Sequence, residues 1–132
     1  MKTTKEKLSV LSEMIAFAKV DGLVDSEYDF LVELATELDV DKTVLDALFN
    51  ADIERVKPKS EYERIVHFHR LVLLMNVDKK QSILEISKLH KIGVGLGLSP
   101  AAIEQVLAAM CKYPNNAIPL NVLQEIFKTH HN

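Results

Sequence analysis

Slid forward by 58 positions, residues 14–49 of this chain fall on a second stretch of itself with apolar residues meeting apolar residues. Ile15 meets Leu73, Phe17 meets Met75, Leu31 meets Leu89 and Leu34 meets Ile92. Leu45 then meets Ile103, and Leu48 meets Val106. Asp41 meets Ser99, both good helix N-caps, and Asp39 meets Gly97 just after a helix, where a left-handed residue is often required. Agreement of caps as well as stripes describes two helical units, each reading helix, loop, helix, short turn, helix, over about 8–53 and 66–111. Neither unit is long enough to bury its own face, so the two are expected to pack on each other.

The period within each unit is helical. Leu8, Leu11, Ile15 and Ala18 stripe a helix from about Thr4 to Val20, and Phe30, Leu31, Leu34 and Leu38 a second from about Ser26 to Leu38. A third follows Asp41, with Val44, Leu45, Leu48 and Phe49 inward. Lys57-Pro58-Lys59 breaks the chain, and Ser60 with Glu63 forms a capping box opening a fourth helix to about Asn76. That helix is apolar nearly all round at Leu71 to Met75, which predicts the most buried position. Ile83, Ile86, Leu89 and Ile92 mark a fifth helix. Ser99-Pro100 opens a sixth carrying Ile103, Val106, Leu107 and Met110. After a turn at Tyr113-Pro114-Asn115-Asn116, a last helix carries Leu120, Leu123, Ile126 and Phe127. No alternating stretch competes, and only 4 Gly and 4 Pro disfavour a turn-rich β architecture. The expectation is one all-α domain over 1–132, a bundle of about seven helices with an internal two-fold repeat.

Several functions are excluded or disfavoured. One cysteine, Cys111, cannot form an internal disulfide or a thiolate zinc cluster; in an apolar helical segment it reads as a buried, inert thiol. The apolar run Leu71 to Met75 falls far short of the ~20 residues a membrane span needs. The N-terminus has charge but no apolar run behind it, so a signal peptide is not expected and the cytoplasm is the simplest location. Between Asp21 and Glu54 stand eleven acidic residues and one basic one, Lys42. Such a stretch repels phosphate backbones and attracts cations or a basic partner, which argues against nucleic acid.

The most distinctive string is Asp21-Gly22-Leu23-Val24-Asp25-Ser26-Glu27, three carboxylates around a glycine between the first two helices. Hard cations such as Ca²⁺, Mg²⁺ or Mn²⁺ take oxygen ligands of this kind. It is not an EF-hand, because the Asp-x-Asp-x-Asp-Gly core and the twelfth-position glutamate are missing. Asp25 is also a suitable N-cap for the second helix, with Glu27 favoured in its first turn by the helix dipole.

This string, followed by Leu31, Leu34 and Leu38 and repeated at 58 residues, resembles the TerB-like family, named for tellurite-resistance TerB, over about Lys7 to Met110. The resemblance implies an all-helical bundle with carboxylates near one end able to bind a divalent cation. It implies a bacterial, stress-related setting or a module of a DnaJ-type co-chaperone, and no catalytic reaction. Carried over, Asp21 and Glu27 fill the first motif and Glu85 the glutamate place of the second, so Asp21, Asp25, Glu27 and Glu85 are the candidate metal ligands. Where the second Asp-Gly would stand the chain has Asp78-Lys79-Lys80.

The remaining candidates are weaker. Gly93-Val94-Gly95-Leu96-Gly97 follows a helix rather than a strand, so it reads as a helix end and a close-packing site, not a dinucleotide loop. His67 and His69 point away from each other on a helix, His90 has no ligand partner at helical spacing, and His130 and His131 fall at an end expected to fray. The reading is therefore a non-enzymatic binding or adaptor domain whose acidic end engages a cation or a basic protein surface. The alternative is a structural homo-oligomer formed through Leu120, Leu123 and Phe127 of the last helix. A metal-dependent hydrolase using the same carboxylates is the third, and it needs a pocket with a general base.

Overall fold

A computed structural model of the chain describes residues 3–77 and 82–130, with the side chain of Asp21 outside the description. The described residues form seven α-helices and no strand: α1 Thr4–Ala18, α2 Asp25–Glu37, α3 Lys42–Leu48, α4 Glu61–Asn76, α5 Ile83–Gly95, α6 Pro100–Met110 and α7 Leu120–Thr129. Two 3-10 turns, Lys19–Asp21 and Pro114–Asn116, follow α1 and precede α7.

The 58-residue offset is carried by the backbone. α2 and α5 both begin and end 58 residues apart, as do the starts of α3 and α6 and the ends of α1 and α4. After α2, Asp39 takes φ 59°, and after α5, Gly97 takes φ 81°. In each case the next amide reaches back into the last turn, Val40 N–H to Ala35 O at 2.8 Å and Leu98 N–H to Gly93 O at 3.1 Å. These are the six-to-one bonds that satisfy the last carbonyls of a helix whose chain turns sharply away.

The starts follow from local chemistry. Thr3 and Glu6 make a reciprocal capping box on α1. The hydroxyls of Ser60, Ser82 and Ser99 accept the amides of Glu63, Glu85 and Ala102. α2 differs from expectation. Its N-cap is extended Val24, not Asp25, and Glu27 Oε1 accepts the Val24 N–H at 3.1 Å. The carboxylate at the third helical position thus supplies the acceptor that a valine side chain lacks, and Asp25 moves into the first turn, where the dipole favours it.

α4 packs on α1, α5 and α7, and Phe68, Leu71, Val72, Leu74 and Met75 along it are fully buried. α1 faces α2, α3, α4 and α5 through Leu11, Met14, Phe17 and Ala18. Gly93 permits the close approach of α5: a Cβ there would stand 2.6 Å from Ile103 Cδ1 and 2.9 Å from Phe68 Cε1.

Three placements correct the stripes read above. Val44 is 41% and Ile83 84% exposed, each in the first turn of its helix. Cys111 is exposed as the C-cap of α6, where the chain leaves the core. On α7, Leu123, Ile126 and Phe127 are buried against the chain's own core, with the Phe127 ring edge-on to Phe68 at 5.6 Å. That face packs within the molecule, with Leu120 partly buried beside it. No helix among the described residues is long and apolar enough to cross a membrane.

Candidate functional site

The expected ligands have different fates. Asp25 is exposed at the start of α2. Glu27 is 1% and Glu85 4% exposed, each at the third position of its helix, 58 residues apart. Glu27 is engaged in holding its own helix start, as described above. The side chain of Asp21 and residues Asp78-Lys79-Lys80 lie outside the described residues. Among the described residues no group of three or more His, Cys, Asp or Glu side chains could hold a metal ion, so Asp25, Glu27 and Glu85 do not assemble one.

Acidity on the surface is nonetheless concentrated. Asp25, Asp29, Glu33, Glu37, Asp39, Asp41, Asp52 and Glu54 are all exposed on or beside α2 and α3. The cations near them are engaged. Lys42 Nζ is 3.0 Å from Asp46 Oδ2 and lies over the Tyr28 ring. Lys19 Nζ donates to Phe49 O at 2.6 Å. The Tyr28 hydroxyl donates to Asp46 Oδ1 at 2.5 Å, and with Lys42 it holds the Asp46 carboxyl below its ordinary range.

A second site was not anticipated. A cleft of about 300 Å³ opens between α1, the irregular segment 49–60, α4 and α5. Its walls carry Arg55, Lys57, Lys88 and Lys91 against one carboxylate, Glu13. Two buried serines of α1 secure the irregular wall. Ser9 Oγ accepts the Val56 N–H at 2.9 Å while donating to Lys5 O at 2.7 Å. Arg55 Nε donates to Ser12 Oγ at 3.2 Å. On the far side Arg64 donates to Pro58 O and Lys59 O.

At the base of the cleft, Nε2 of His67 lies 2.7 Å from Glu13 Oε1. His67 is 1% exposed, and its Nδ1 is buried with no hydrogen-bond partner among the described residues. Burial pushes the Glu13 carboxyl up, but the hydrogen bond and charge of His67, with Arg55 and Lys88, outweigh it and hold Glu13 below its ordinary value. No family model, curated protein or solved structure matches the chain.

Sequence reasoning missed this cleft because its cations come from segments that share no period. Arg55 and Lys57 lie before and in the helix break, Lys88 and Lys91 lie on α5, and Glu13 and His67 stand 54 residues apart. The available signal was Ser9, Ser12 and Glu13 within the apolar run Leu8 to Ala18 of α1. The other described histidines have separate partners. His69 Nε2 meets Ile118 O at 2.7 Å, His90 meets Glu104 at 3.4 Å, and His130, expected in a frayed end, meets Gln105 on α6 at 2.6 Å.

Proposed function

We propose that the protein is a non-enzymatic, TerB-like binding domain whose acidic α2–α3 face engages a basic protein surface. The observation that carries this reading is the row of exposed carboxylates over 25–54, in which Lys42 is already paired with Asp46. Fields of one sign speed and select oppositely charged partners and weaken with salt. A cation bound through Asp21, Asp25, Glu27 and Glu85 is the narrower form of the same proposal.

Titration with an octalysine peptide tests the protein-binding form. Binding is expected at low salt and is lost in the Glu33→Lys, Glu37→Lys double variant. Equal affinity for the double variant refutes it. Calorimetry with Ca²⁺, Mg²⁺ and Mn²⁺ tests the narrower form. Heat that disappears in Asp21→Ala, Asp25→Ala supports it, and silence at millimolar metal ends it.

A second reading, self-association, draws support from Ile83 and Leu84, which are 84% and 58% exposed side by side at the start of α5. Light scattering of the wild type against Ile83→Ser, Leu84→Ser tests it. A monomeric mass for the wild type overturns it.

A further inference from the structure

The acidic face leaves the basic cleft on α1 and α5 unexplained. We infer that this cleft is a binding site for a small organic anion with a compact apolar body. The chain carries a formal net charge of −3, yet here four cations from two separate stretches of sequence surround one concavity with a single carboxylate, Glu13. That carboxylate is bonded to His67. The wall is therefore cationic in net effect, with Arg55 tied to Ser12 and with Lys88 and Lys91 on neighbouring turns of α5.

Apolar side chains of Val10, Val56, Pro58, Ile92 and Leu96 line it as well, beside Ser9 and His67. A site with greasy walls and a few convergent polar groups is the usual form of a small-molecule pocket, and about 300 Å³ stands at the small end of that class. Inorganic phosphate alone would leave the apolar walls without contacts. A neutral apolar molecule would leave the cations unanswered.

The site is built before any ligand arrives. Ser9 and Ser12 tie the 49–60 wall to α1, so little ordering remains to be done on binding. His67 holds Glu13, the one carboxylate of the cleft, through Nε2 at 2.7 Å. Carboxylate and phosphate headgroups share the chemistry the lysines and Arg55 recognise.

The probe is 1-anilinonaphthalene-8-sulfonate, an anion with an apolar body, and its uncharged counterpart is N-phenyl-1-naphthylamine. Fluorescence titration is expected to give one equivalent of the sulfonate bound to the full chain. In Lys88→Gln, Lys91→Gln, its affinity is expected to fall about tenfold, the scale of losing two partly exposed charge contacts. The neutral probe is expected to bind either protein equally. Both lysines reach solvent, and matching urea midpoints will confirm that the fold is kept.

Displacement by octanoate supports a carboxylate ligand, and displacement by octyl phosphate a phosphate one. Displacement by neither overturns the inference. So does unchanged sulfonate affinity in the double variant, or binding of several equivalents, either of which assigns the probe to exposed apolar surface elsewhere.

Discussion

Two glycines of α5, two residues apart, separate packing from helix propensity. Replacing either by alanine removes the conformational freedom of glycine in a helix, a gain of about 0.5–1 kcal/mol. At Gly95 the new methyl meets nothing within 4 Å, so that gain is the whole effect. At Gly93 it meets Ile103 Cδ1 at 2.6 Å and Phe68 Cε1 at 2.9 Å. The end of Ile103 can rotate away, but the Phe68 ring is fully buried and braced edge-on by Phe127. Overpacking of this kind costs about 1–3 kcal/mol. Gly93→Ala is therefore expected to lose a net ~1–2 kcal/mol, lowering Tm by roughly 3–8 °C, while Gly95→Ala is expected to gain. Urea unfolding followed by far-ultraviolet circular dichroism measures both, with equal m-values required for the comparison. A Gly93→Ala protein as stable as Gly95→Ala would refute the close approach of α5 to α4 and α6.

Three further outcomes follow from the packing and the titrating groups. Phe127→Ala is expected to cost about 3–5 kcal/mol by emptying the contact with Phe68; a loss under ~1 kcal/mol in urea melts would return α7 to the surface. Cys111 is expected to react with a thiol reagent in native buffer as fast as in urea, since it is exposed; protection in the native state would contradict its place at the end of α6. Stability is expected to fall on acidification in two windows. Burial holds the His69 imidazole below its ordinary 6.5, with Arg70 adding to the effect and the Ile118 carbonyl opposing it, so the unfolded chain takes up that proton first and stability is lost as pH falls from 6.5 through the folded value. The Glu13 carboxyl is likewise held below its ordinary 4.5, so its contribution is full above pH 4.5 and lost below, through the folded value. His69→Gln is expected to flatten the upper window and Glu13→Gln the lower; chemical denaturation across pH 3–8 reads both, and unchanged slopes would refute the assignments.

Much of the scaffold was legible because its determinants are local. Ser60, Asp41 and Ser99 announce helix starts by what their own oxygens can accept, and the 58-residue echo of Asp39 in Gly97 announces the turns. The α2 start was misplaced by one residue because its acceptor is not at the cap but three positions on, at Glu27. Exposure at the ends of stripes was also misread. Ile83, Val44 and Cys111 belong to apolar segments, yet whether a segment end is covered depends on where the neighbouring helix stops.

Helix number, helix caps and the doubled plan were written in the order of residues, since hydrogen bonds within a turn and a 3.6-residue stripe need no distant partner. Tertiary structure alone decided that α7 closes the core through Leu123, Ile126 and Phe127. It alone paired Glu13 with His67 across 54 residues and drew Arg55, Lys57, Lys88 and Lys91 around one cleft. Charges gather in this way through the packing of helices whose polar positions carry no period, so their convergence has no signature along the chain.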